Sequence, residues 1–192
     1  MGRTTRPALA LIATLIVAPI TAAADTVLWK NVGGWDISFY PGSEGCQAFA
    51  VFEQDTAFFI GFDSTGDTLT LEVTILDQRW GSIEQGKEYD ISVKFGNESP
   101  WNVSMDGLNI DGYPGLNIEI DASTDQASLF VDEFQRETRM AWSYSGALLG
   151  QYTLRGSRRA FEEVIACQRS YADAQASQSD PFATSKTDPF SD

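Results

Sequence analysis

Along most of its length the chain alternates apolar and polar residues with a period of two, the spacing of strands that bury one face. Trp35, Ile37 and Phe39 alternate with Asp36, Ser38 and Tyr40, and Cys46, Ala48, Ala50 and Phe52 repeat the pattern. Phe58 to Phe62 runs into the turn cluster Asp63-Ser64-Thr65-Gly66-Asp67, after which Leu69, Leu71, Val73 and Ile75 share a face, the signature of a hairpin. Tyr89, Ile91, Val93 and Phe95 form a strand that stops at Gly96-Asn97, and Trp101, Val103 and Met105 form the next. Leu116, Ile118 and Ile120 follow the turn Asp111-Gly112-Tyr113-Pro114-Gly115, and two more strands are expected around Met140–Tyr144 and Leu148–Leu154.

Two segments carry helical spacing instead. Residues 125–136 place Ala127, Leu129, Phe130 and Phe134 on one face of a short helix. A longer run after Gly156 puts Ala160, Phe161, Val164, Cys167 and Tyr171 on one face, with Ser157 read as its N-cap. The fold class expected is therefore α+β, mainly β: an antiparallel β-sandwich or flattened barrel with one short helix and a C-terminal helix.

The two ends of the chain break the pattern. Arg3 and Arg6 precede an apolar run from Ala8 to Ala18, interrupted only by Thr14, which meets Pro19 and the small residues Ala22-Ala23-Ala24 before Asp25. This order reads as a secretory signal peptide, residues 1–24, cleaved near Ala24, which places the mature protein in the periplasm or outside the cell. The run is too short for a membrane span, which needs about 20 residues, and no later stretch is apolar enough for one. Residues 25–172 then form a single domain, and 173–192 a polar tail that cannot bury enough apolar surface to order itself. Within that tail Ser179-Asp180-Pro181-Phe182 returns as Thr187-Asp188-Pro189-Phe190, which makes Phe182 and Phe190 candidates for docking to a partner or for folding back on the domain.

Charge removes several functions. Thirteen basic residues against twenty-seven acidic ones give a net charge of −14, and there is no His. Nucleic-acid binding needs a basic face that this chain lacks, and imidazole triads and His–metal sites are excluded. Such a chain prefers neutral or basic partners. Its two cysteines, Cys46 and Cys167, both lie in the exported part, where an oxidising compartment favours pairing them. The loop so closed is long, worth roughly 4–5 kcal/mol on the chain-entropy model.

Candidate sites are few. Arg155, Arg158 and Arg159 form the one basic cluster, at the start of the second helix, and with Ser157 they are a candidate contact for a small anion or a partner carboxylate. Glu162 and Glu163, one turn on, offer an internal outlet for the same charge. Asp106, Asn109, Asp111 and Asp121 fail the EF-hand test, because Gly112 at position six puts Ile118 at position twelve. No metal and no cofactor are expected. Asp63 with Asp67, and Glu119 with Asp121, are the carboxylate pairs available for catalysis without His, and no GxSxG, SxxK or P-loop occurs in the mature chain. The five tryptophans, Trp29, Trp35, Trp80, Trp101 and Trp142, fit core packing better than sugar stacking.

The segments WDISFYPGSEGCQAF, RWGSIEQGKEYDISVKF and TLRGSRRAFEEVIACQ resemble those of a group of small exported proteins of Gram-negative bacteria. Members of that group pair an early Gly-Cys with a terminal Gly-Ser-x-x-Ala helix ending in Cys. The resemblance spans residues 29–168 and implies periplasmic residence and a disulfide-closed, β-rich fold; its motifs are structural, so no catalytic residue is carried over. The function expected is thus a non-enzymatic binding or envelope-assembly accessory domain with an envelope protein as partner, its oligomeric state open. Two rivals stand beside it: a carboxylate-based hydrolase of envelope glycans using Glu119 or Asp121, and a secreted enzyme inhibitor presenting loop 96–102 or 111–115.

Overall fold

The computed structural model describes residues 25–176. The expected leader and most of the tail, with Phe182 and Phe190, lie outside the described residues. The elements are β1 (Val27–Val32), β2 (Trp35–Tyr40), β3 (Gly45–Val51), β4 (Ala57–Asp63), β5 (Thr70–Leu76), β6 (Glu88–Phe95), β7 (Trp101–Ile110), β8 (Tyr113–Asp121), α1 (Asp125–Arg136), β9 (Arg139–Tyr144), β10 (Ala147–Thr153) and α2 (Ser157–Ala176). The fold is mainly antiparallel β with one short and one C-terminal helix.

All ten strands belong to one sheet, in the order β1-β2-β3-β4-β5-β8-β7-β6-β9-β10. Every pairing is antiparallel. The alternation suits a sandwich or a flattened barrel; the strands instead form a single curled sheet whose end strands, β1 and β10, are not paired with each other. Its two wings meet across the core: the rings of Phe58 on β4 and Trp142 on β9 are 6.2 Å apart, and Phe52 stacks on Tyr152 of β10 at 4.9 Å. The helices fill the space between the wings. Phe134 of α1 lies 5.5 Å from Trp35 and 6.3 Å from Phe161 of α2, edge to face in both cases.

α1 matches its expected span. Thr124 caps it by accepting the Ala127 N–H at 3.2 Å. One face residue differs: Leu129 points to solvent, and Glu133 is buried in its stead, accepting the Trp101 indole N–H at 2.7 Å. α2 begins where expected but not as expected. Gly156, at φ +87°, turns the chain into the helix, so Ser157 is its first residue and not its cap. The Ser157 hydroxyl is buried and donates to the Phe134 carbonyl at 2.8 Å, tying the two helices together. The helix also runs past the expected boundary at 172, to Ala176.

Cys46 of β3 and Cys167 of α2 form a disulfide, S–S 2.04 Å, closing a separation of 121 residues. Around it Gln168 accepts the Cys46 N–H at 2.7 Å and Tyr171 stacks on Phe39 at 3.8 Å, so the last helix is fixed to the first strands by three kinds of contact. Another clasp holds the opposite end of the sheet. Asp77, fully buried just after β5, accepts the Thr56 hydroxyl at 2.9 Å, the Arg79 N–H at 2.9 Å and the Arg79 Nε–H at 2.8 Å. Burial alone would raise its pKa; the Arg79 and Thr56 hydrogen bonds outweigh burial and hold it below the ordinary Asp value. Tyr152 sits against this clasp with its hydroxyl buried and, among the described residues, without a hydrogen-bond partner, the Thr56 hydroxyl beside it donating to Asp77 instead.

Among the described residues no helix is long and apolar enough to cross a membrane.

Candidate functional site

Strand alternation sends the core residues of each strand inward and leaves the others on the outer face of the sheet, which no helix covers among the described residues. On the six consecutive strands β2, β3, β4, β5, β8 and β7 there is not one Lys or Arg, inward or outward. The carboxylates of those strands are Asp36, Asp63, Glu72, Asp106, Glu119 and Asp121, and all stand on the outer face.

The centre of this face is built by register. Gly61 of β4, Glu72 of β5 and Glu119 of β8 sit side by side, with Gln47 of β3 opposite Gly61. Glycine is required at 61, because a Cβ there would lie 2.1 Å from the Cys46 carbonyl oxygen. Across that low point Gln47 reaches over and donates to Glu72, while Thr74 donates to Asn117 at 2.7 Å. Glu72 is half-buried. Its burial, and next the negative charge of Asp63, push its carboxyl above the ordinary Glu value; the Gln47 hydrogen bond opposes this, and the facing Glu119 adds to it. A carboxylate held in that way gains from a cation placed beside it.

One step along the same strands the surface becomes apolar. Phe49 and Phe59 pack with ring centroids 4.7 Å apart and Tyr40 meets Phe59 edge-on at 6.1 Å. Phe49 and Phe59, with Val51, Leu76 and Tyr113 and with Asp55 and Gln78 at the edge, line an open groove of about 410 Å³. Val51 is 57% exposed and Tyr113 42%, values unusual for an apolar strip on a strongly charged protein. The site is thus a row of carboxylates beside an aromatic groove.

The sites expected from sequence fare differently. Arg155, Arg158 and Arg159 are exposed at the start of α2, on the helix-covered side. The Arg155 carbonyl accepts the Trp35 indole N–H at 3.1 Å, and the inward turn of Ser157 removes its hydroxyl from the cluster, so the four residues do not converge on one point. Glu163 serves Lys30, at 2.5 Å, and Trp29, at 3.3 Å, rather than Arg159 alone; the Lys30 hydrogen bond holds its pKa low. Asp121 accepts the Ser123 N–H and hydroxyl at 2.8 and 2.7 Å, which lowers its pKa and makes it a turn former before α1. Glu119 therefore has Glu72, not Asp121, as its facing carboxylate. Asn109 accepts the Gly112 N–H at 2.9 Å in the β7–β8 turn, and no group of three or more acidic or Cys residues that could hold a metal exists among the described residues. Residues 113–115 belong to β8, leaving only Asp111-Gly112 as the turn of a tight hairpin.

No local pattern marks Glu72 and Phe59, because their significance depends on strand neighbours distant in the chain. A local signal existed all the same: the run of strand segments without a basic residue. No family model matches this chain, and no curated protein and no solved structure matches it significantly.

Proposed function

We propose that the protein is an exported, non-enzymatic binding domain of the cell envelope that takes a cationic protein partner on the outer face of its sheet. The single observation carrying this reading is the uncovered face of six strands that bears carboxylates around an aromatic groove and no basic residue. A Lys or Arg of the partner placed among Asp63, Glu72 and Glu119 relieves their mutual repulsion, and an apolar neighbour enters the groove between Phe49 and Phe59. Export accords with the disulfide, which forms and persists in oxidising compartments, and with the leader read in residues 1–24; N-terminal sequencing of protein from its native cell tests it, a start at Asp25 being the expected result.

The binding test uses a labelled peptide of alternating Lys and Leu and the mature chain. Saturable binding that weakens as salt rises is expected, and Phe59→Asp or the pair Glu72→Gln, Glu119→Gln lowers affinity at least tenfold. Binding indifferent to these changes refutes the reading, as does its loss on Arg158→Glu alone. One observation favours a second reading, hydrolysis of envelope glycans: Glu72, held protonated to higher pH, faces Glu119 as an acid faces a base. That reading requires turnover of peptidoglycan fragments that disappears in Glu119→Gln.

A further inference from the structure

A separate opening at one end of the curled sheet follows from its topology. Because β8 and β7 lie between β5 and β6, the connection 77–87 must cross the end of the core. It does so in two successive turns, the Trp80 N–H donating to Asp77 O at 3.0 Å and the Ile83 N–H to Trp80 O at 2.9 Å. One end is pinned by the Asp77–Arg79 clasp. The other end is bonded to β7, Gly86 N–H to Gly107 O at 2.7 Å and Gly107 N–H to Lys87 O at 2.8 Å. The approach is so close that a Cβ on Gly107 would stand 2.3 Å from the Glu84 carbonyl oxygen.

A connection fixed at both ends cannot settle further onto the core, and its apolar side chains leave a gap. Trp80 and Ile83 roof a slot of about 150 Å³ whose floor is Ile91 and Leu116, two residues of the core. Its mouth opens beside Tyr144 and Leu149 on the β9–β10 hairpin. Tyr89 walls the slot, held edge-on to Tyr144 at 5.7 Å with the Lys87 ammonium 5.6 Å from its ring centre. Arg79, held by Asp77, and Ser82 complete the lining, and neither the Trp80 indole N–H nor the Tyr144 hydroxyl has a hydrogen-bond partner among the described residues, so mainly apolar walls carry polar groups at their edge.

We propose that this slot binds a neutral monocyclic aromatic group, one ring with a single hydrogen-bond acceptor. The size follows from comparison with an engineered apolar cavity of about 150 Å³, which takes up benzene. The neutrality follows from the net charge of −14 and from Arg79, the cation on the lining, whose charge is already taken by the buried Asp77. This site lies apart from the outer-face groove, and its test does not depend on the cationic partner.

Phenol titrated into the mature chain, followed by NMR at the Trp80 indole N–H, is expected to give saturable shifts with a Kd on the order of 0.1–1 mM, as suits so few heavy atoms. Leu149→Trp, which blocks the mouth, and Ile83→Trp, which fills the roof, each weaken phenol at least tenfold, the folded state being checked by thermal melting. Should one of the two fail to fold, the other decides. Hexanoate is expected to bind at least fivefold more weakly than phenol. No saturable shift at Trp80, or phenol affinity unchanged in a folded blocking variant, overturns the site; equal binding of hexanoate overturns the neutral class.

Discussion

The helix-covered side of the sheet and its bare outer face treat acidic residues in opposite ways. On the helix side Glu163 has Lys30, Glu98 and Asp132 share Arg136, and the buried Glu133 takes the Trp101 indole. On the outer face Asp63, Glu72 and Glu119 have, among the described residues, no cationic partner, and Gln47, Thr65 and Thr74 serve Asp63 and Glu72 as neutral donors. A net charge of −14 could have been a uniform coat that keeps the chain soluble. Its distribution says otherwise: six adjoining strands carry carboxylates and no basic residue on their outer face, and the strand cations, Lys30 of β1, Lys94 of β6 and Arg139 of β9, stand beyond them.

The largest effect expected from breaking this division is on the helix side. Cys46→Ala with Cys167→Ala frees α2 from β3 and lowers unfolding free energy by ~4 kcal/mol, read by denaturant unfolding. Peptide binding to the outer face of the still-folded variant stays unchanged. Next comes Asp77→Ala, which strands Arg79 and Thr56 and costs ~3 kcal/mol. Asp77 also sets a pH window. Its native pKa lies below the unfolded one, so its contribution is fully present above about pH 4 and is lost as pH falls through the lower native value.

Tyr152→Phe should stabilise, by ~1 kcal/mol in thermal or denaturant unfolding, because it removes a buried hydroxyl that has no partner among the described residues. Glu72→Gln is smaller and opposite in pH sense to Asp77. The raised native pKa of Glu72 means that stability is highest below about pH 4, the unfolded Glu value, and falls as pH rises through the native value. Unfolding midpoints at pH 4, 5.5 and 7 should show this slope in the native chain and not in the variant. Arg158→Ala, on an exposed side chain without an ion pair among the described residues, is expected to change stability by less than about 0.5 kcal/mol.

Nine of the ten strands and both helices could be read along the chain, because residues such as Ile37, Ile60, Val73 and Val93 bury one face at period two and Phe130 and Phe134 one face at helical period. β1 could not. Its register slips between Leu28 and Lys30, so alternation is broken, and of its six residues only Val32 is buried. The single sheet was equally hidden, since pairing order depends on where 77–87 crosses and no local pattern records that. Glu119 and Asp121 do share one face of β8, as their spacing implies, but the carboxylate directly across from Glu119, Glu72, is supplied by strand register that no local pattern records. Ser157 reads as a cap along the chain but is the first helical residue, because Gly156 at φ +87° makes the turn into α2 and the hydroxyl points inward to the Phe134 carbonyl.

The most direct test of the outer-face account is NMR shift mapping of the isotopically labelled mature chain titrated with the Lys–Leu peptide. The account predicts perturbed amides on β3, β4, β5 and β8, centred on Phe59, Gly61, Glu72 and Glu119, with α2 unmoved. Shifts gathered on Arg155–Arg159 and α2, or none at saturating peptide, would contradict it.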